Sequence, residues 1–176
     1  MHRIAIAAFT LVVVLMALPA RAGERPSADE LLDRLKPRAE EPATRSLFDR
    51  GLTMEGPDQT STSPSVDLEV NFEFNSAQLT TDAALTLDQL GRALNNPALV
   101  SSRFQVAGHT DGVGGDAFNQ ALSQQRAAAV RDYLVGRHGI AARRLEAVGY
   151  GKSRLLDPAH PDAAVNRRVQ VTNISG

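Results

Sequence analysis

From Val66 onward the side chains alternate: Val66, Leu68, Val70, Phe72 and Phe74 fall on one face, Asp67, Glu69, Asn71 and Glu73 on the other. A period of two predicts a half-buried strand. Thr80 or Thr81 can cap a following helix in which Ala83, Leu87, Leu90 and Leu94 recur at helical spacing, until Asn95, Asn96 and Pro97 stop it. Arg103 to Ala107 reads as a second strand, running into the loop Gly108-His109-Thr110-Asp111-Gly112-Val113-Gly114-Gly115. Asp116 then begins a long helix with Phe118, Leu122, Ala129 and Tyr133 along one stripe, ending near Gly136 and Gly139. Leu145 to Val148 and Arg168 to Val171 are two further strands, separated by a loop containing Gly149, Gly151, Pro158 and Pro161. The order β-α-β-α-β-β predicts an α+β fold: a two-layer α/β sandwich with helices on one face of a mixed sheet.

Upstream of Val66 the patterning differs. Arg3, the apolar run Ile4 to Leu18 and the small residues of Ala20-Arg21-Ala22 read as a signal peptide over residues 1–22, cleaved after Ala22. The competing reading is an uncleaved inner-membrane anchor, since the apolar run approaches the lower limit for a span, roughly 17 residues. Pro19 and the Ala-x-Ala site favour cleavage. Residues 23–65 are rich in Pro, Glu, Arg, Ser and Thr and predict a flexible tether. Within them Ser27-x-x-Glu30 has the form of a capping box ahead of Leu31, Leu32 and Leu35. A helix this short is expected to be transient and without a partner. Residues 66–176 form the domain.

Composition narrows the chemistry. The chain has 176 residues, 43% of them hydrophobic, enough for one domain with a core. From Val66 to Gly176 there are 11 acidic and 11 basic side chains, so no charge excess points to nucleic acid. Cysteine is absent, which removes disulfides, thiolate metal sites, Cys nucleophiles and the acceptor for a bacterial lipid anchor. Gly112-x-Gly114-x-x-Ala117 fits a dinucleotide fingerprint only loosely, and Gly151-Lys152-Ser153 lacks the earlier P-loop glycine, whose place is taken by Glu146. His109 and Asp111 lack a third metal ligand at workable spacing, and no serine sits in a nucleophile elbow. Neither a cofactor, a metal nor an enzymatic activity is expected.

The informative positions lie where the second strand hands over to the long helix. Asp111 is in the loop, while Asn119 and Arg126 are seven residues apart on one helix face, roughly 10 Å along the axis. Ser123 lies between them on a similar bearing. A carboxylate pairs with an ammonium group and a guanidinium with a carboxylate, so together they can recognise a zwitterion such as an amino-acid stereocentre. The same two residues could equally pair with each other or cap the helix; spacing leaves both readings open.

Gly108-His109-Thr110-Asp111, Gly114, Asn119, Leu122-Ser123, Arg126-Ala127 and Val130 resemble the signature of the OmpA-like peptidoglycan-binding domain family. Phe72-Glu73-Phe74-Asn75-Ser76 with Leu79 resembles that family's first strand and turn, and Tyr133-Leu134 continues its long helix. Gly149-Tyr150-Gly151-Lys152-Ser153 with Arg167-Arg168 resembles its closing motifs, so the likeness covers roughly residues 66–174. It implies non-covalent binding of the peptide stem of peptidoglycan at its diaminopimelate residue. The implied ligand-binding residues are Asp111, Arg126, Asn119, Asn75 and, from the terminal arginine pair, Arg168. The resemblance implies anchoring in the periplasm or cell envelope, with the outer membrane as one setting. Residues 1–65 do not read as a β-barrel, so a porin-like arrangement is not expected. The alternative is a structural or assembly subunit of an envelope complex, recruited through a protein partner that docks on residues 23–65.

Overall fold

The computed structural model describes residues 25–37, 63–73 and 76–175. The expected signal peptide, most of the expected tether and the candidate residue Asn75 lie outside them. The elements in chain order are α1 (Ala28–Leu35), β1 (Ser65–Leu68), α2 (Thr81–Leu94), β2 (Phe104–His109), α3 (Asp116–His138), β3 (Leu145–Gly151) and β4 (Val169–Asn173). From β1 onward this is the predicted order. The four strands form one mixed sheet in the order β1-β4-β2-β3: β4 runs antiparallel to both neighbours, and β2 and β3 are parallel across the α3 crossover.

Register explains the core. Val66 faces Val171 and Val171 faces Val106, while Leu68 faces Val169, so these side chains form rows on one side of the sheet. They are buried with Leu87, Leu90 and Leu94 of α2 and Val130 and Leu134 of α3. Thr80 caps α2 by accepting from the Ala83 amide at 3.2 Å. Gly139 at φ 65° ends α3, its amide donating to Val135 and that of Ile140 reaching the Leu134 carbonyl.

Three expectations are corrected. The first strand stops at Leu68 instead of running to Phe74. Its partner β4 begins at Val169, opposite Leu68, and among the described residues no strand pairs with it beyond that point. The alternation of burial nevertheless continues through Val70 to Phe72, and Phe72 bridges Leu79 in a short hairpin.

The second correction concerns α3. Its buried residues are Asn119, Ser123, Ala127, Val130 and Leu134, not the stripe through Phe118, which is 53% exposed. The first half of the helix lies so close to glycine backbone in β2 and β3 that only small or hydrogen-bonding side chains fit there.

The third concerns α1, which is not a partnerless helix. Leu31 and Leu35 are fully buried in the core, and Arg25 pairs with Asp82 at the start of α2. Asn173, itself buried in β4, donates its side-chain amide to the Leu35 carbonyl at 2.9 Å. Propensity alone does not hold eight residues helical; packing of the leucine face does. Residues 25–37 thus belong to the packed body.

One buried polar group outside that core carries a stability consequence. His109 is buried on the sheet face away from the helices, its ring tilted by 37° against that of Tyr150 with centroids 5.5 Å apart, and neither ring nitrogen finds a hydrogen-bond partner among the described residues. Burial first, and then the Arg168 guanidinium, hold its pKa down to about 4. The folded state therefore refuses a proton that the unfolded chain accepts below its ordinary pKa of 6.5. Stability is complete above that value and falls as pH drops from 6.5 toward 4.

Two outcomes are expected. In urea titrations Leu31→Ala and Leu35→Ala should each cost about 2–5 kcal/mol, whereas a helix without a partner would cost close to nothing. Wild-type stability should decline on acidification below pH 6.5 by up to about 1.4 kcal/mol per pH unit, and His109→Leu should flatten that slope.

Candidate functional site

The site is built on close approach of helix and strand backbone. Gly108 of β2 faces the Ser123 carbonyl directly, with no room for a Cβ. A Cβ on Gly149 would lie 2.6 Å from Ser123 Oγ, and one on Gly151, at φ 52°, 3.0 Å from the Gln120 amide nitrogen. Polar side chains of α3 use this proximity. Ser123 Oγ accepts from the Gly151 amide at 2.8 Å and donates to the Gln120 carbonyl at 2.9 Å. Gln120 donates to the Gly149 carbonyl, while Gln124 donates to that of Ala147 and accepts from the Gly149 amide. The exposed edge of β3 is thereby closed, and the N-terminal turns of α3 are held beside the loop that follows β2.

That loop is tied down on both sides. The Thr110 amide donates to the Gly151 carbonyl at 2.9 Å, and the Gly112 amide to the Pro161 carbonyl at 2.7 Å. Asn119, 3% exposed, donates its side-chain amide to the Val113 carbonyl at 2.8 Å. Pro161 is in turn held by Asn166, fully buried, whose side-chain amide donates to the carbonyls of Asp157, His160 and Pro161.

Asp111 and Arg126 line one cleft of about 490 Å³, with Phe72, Glu73, Thr110, Val113, Phe118, Asn119, Leu122 and Arg167 completing its walls. One Asp111 oxygen accepts from the Val113 amide at 3.2 Å and the other from Arg167 at 2.9 Å. Arg126 donates through Nε to the Ser76 carbonyl at 3.1 Å and lies over the Phe72 ring, 4.8 Å from its centroid. No ion pair joins Asp111 to Arg126 among the described residues. Burial, and secondarily the neighbouring Arg167 charge, lower the Arg126 pKa from its ordinary value, with Asp111 acting in the opposite sense. Two guanidiniums and two carboxylates, Asp111 and Glu73, thus share one partly apolar cleft.

Of the residues expected from sequence, the fold brings Asp111, Arg126 and Asn119 together. Arg168 is not with them: it is 9% exposed on the opposite face, donating to Asp67 at 2.8 Å and to the Arg154 carbonyl at 3.4 Å. Its place in the cleft is taken by Arg167, which sequence reasoning passed over. Both arginines lie just ahead of β4, Arg167 in the bend that closes a short turn, and their side chains go to different carboxylates, Arg167 to Asp111 and Arg168 to Asp67. Phe72, Phe118 and Leu122 add an aromatic and aliphatic lining; helical spacing alone puts Phe118 and Leu122 on the apolar stripe of α3 and gives no sign of the cleft.

Comparison with known proteins supplies the context. Over 107 residues the chain is 41% identical to outer membrane porin F of Pseudomonas aeruginosa, covering 60% of this chain and 30% of that protein. Outer membrane protein P5 of Haemophilus influenzae is 36% identical over 115 residues, which is 65% of this chain and 32% of the relative. The chain therefore spans about a third of the length of these curated relatives. Among solved structures, the peptidoglycan-associated lipoprotein from Burkholderia pseudomallei matches with a TM-score of 0.50 and 30% identity, over 59% of this chain and 87% of that one. The cell wall anchor of the T6SS from Pseudomonas aeruginosa matches with a TM-score of 0.51 and 27% identity, over 64% and 81%. The model of the OmpA family matches residues 71–168, a stretch running from the Phe72 hairpin to the arginine pair, and the chain belongs to that family.

Proposed function

We propose that this domain binds the peptide stem of peptidoglycan without cleaving it, gripping the zwitterionic end of a diaminopimelate residue and so anchoring or positioning an envelope protein at the cell wall. The observation that carries this reading is that Asp111 and Arg126 face one cleft without pairing with each other. The ligand ammonium would take the Asp111 oxygen now occupied by Arg167, and the ligand carboxylate would meet the terminal nitrogens of Arg126, whose Nε is already anchored on Ser76. Arg167, released from Asp111, would remain within reach of the same carboxylate. Asn119 would act by holding the loop, since its amide is committed to Val113. The solved structures of a peptidoglycan-associated lipoprotein and a cell wall anchor support the reading. Cleavage after Ala22 and placement in the periplasm are part of the same proposal.

The test is co-sedimentation with purified diaminopimelate-type peptidoglycan, with unfolding midpoints measured for every variant. Wild type should pellet, and Asp111→Ala and Arg126→Ala should each weaken binding about tenfold or more, the loss of one or two charge-assisted bonds of roughly 1.5–3 kcal/mol. Wild type left in the supernatant, or folded variants that pellet equally well, would sink the proposal. A second outcome follows from the geometry of the arginine pair: Arg167→Gln should weaken pelleting, while Arg168→Gln should lower the unfolding midpoint and leave the binding of the folded fraction unchanged.

A further inference from the structure

At the other end of the β2–β3 pair lies a cleft of about 420 Å³ that the proposed wall-binding reading does not use. Arg103 precedes β2, Arg143 and Arg144 precede β3, and Arg131 reaches in from α3. Glu146 is the one carboxylate in the lining. Asp111 lies beyond the opposite ends of these strands, roughly 20 Å away for six residues of extended chain.

The charge here is poorly compensated. Arg144 is 8% exposed and spends its donors on three carbonyls, those of Ser102, Leu94 and Leu99, at 2.7–2.9 Å. No carboxylate pairs with it among the described residues. A buried cation held only by neutral acceptors carries an electrostatic cost that a nearby anion would offset. Arg131 pairs with exposed Asp132 at 2.8 Å, while the guanidiniums of Arg103 and Arg143 make no hydrogen bond or ion pair among the described residues. Both are exposed at the mouth of the cleft. Two uncommitted guanidiniums, Arg103 and Arg143, thus line one cleft beside the committed Arg131 and Arg144, and guanidinium forks suit a multiply charged oxyanion, for which phosphate is the best match in charge and geometry.

We propose that this arginine-lined cleft is a second binding site, for a phosphate-bearing anion supplied either by a lipid headgroup or by a soluble phosphate compound. It is independent of the wall-binding reading.

The experiment uses the full chain and two probes. Inorganic phosphate is titrated while the backbone amides are followed by NMR, and retention is measured on vesicles of phosphatidylglycerol and phosphatidylcholine in equal amounts against phosphatidylcholine alone. Saturable shifts at Arg103, Arg143 and Leu145 are expected, weakened about tenfold or more in the Arg103→Gln/Arg143→Gln double variant. If retention on the anionic vesicles falls in the same variant, the source is a headgroup; if phosphate binds and the vesicles do not, it is a soluble phosphate compound. Both substituted side chains are exposed, so the variant should keep the wild-type unfolding midpoint and pellet with peptidoglycan as wild type does. Absence of saturable shifts at these amides, or shifts unchanged in the variant, overturns the proposal.

Discussion

The contact on which the molecule depends is the approach of the first half of α3 to the glycines of β2 and β3. Gly108, Gly149 and Gly151 bring strand backbone against Ser123 and its neighbours, so that side-chain hydroxyl and amide groups reach main-chain atoms directly. An apolar helix face could not replace this. Larger side chains would push the helix outward, and the β3 edge would lose the acceptors and donors now provided by Gln120, Ser123 and Gln124. The position of Asp111 relative to Arg126 is a by-product of the same approach, because the loop carrying Asp111 bridges the end of β2 and the start of α3.

Around this contact several buried polar groups each have a defined task. Asn166 folds the segment from Asp157 to Pro161 back on itself, and Pro161 then receives the Gly112 amide, so a distant loop braces the site. Asn173 satisfies the last turn of α1, and Arg144 collects carbonyls at the end of α2. His109 differs, since its ring nitrogens find no partner among the described residues. It is held neutral by burial and by the guanidinium of Arg168, whose pairing with Asp67 gives that arginine a structural place on the far face.

In the cleft itself, opposite charges are present but divided. Asp111 is held by a backbone amide and by Arg167, while Arg126 is held by a carbonyl and an aromatic ring. The proposed zwitterionic ligand would find a separate partner for each of its two ends. A direct Asp111–Arg126 pair would have closed the cleft on itself.

The sequence by itself determined the order of elements from Val66, a cap at Thr80 or Thr81, a helix end near Gly136 and Gly139, and the placing of Asp111, Asn119 and Arg126 near one another. These follow from periodicity, turn chemistry and helical spacing, all local in the chain, with the family resemblance adding the expected ligand. Tertiary structure alone decided the rest. Whether the leucines of α1 had a partner depended on the α2 surface and on Asn173, 138 residues from Leu35. The choice between Arg167 and Arg168 turned on the bend ahead of β4, which sends one side chain to Asp111 and the other to Asp67. Phe118 was placed at the cleft because the glycine contacts rotated its neighbours Asn119 and Ser123 inward. A pattern along the chain shows which residues share a face, but only packing against distant backbone sets which face is buried.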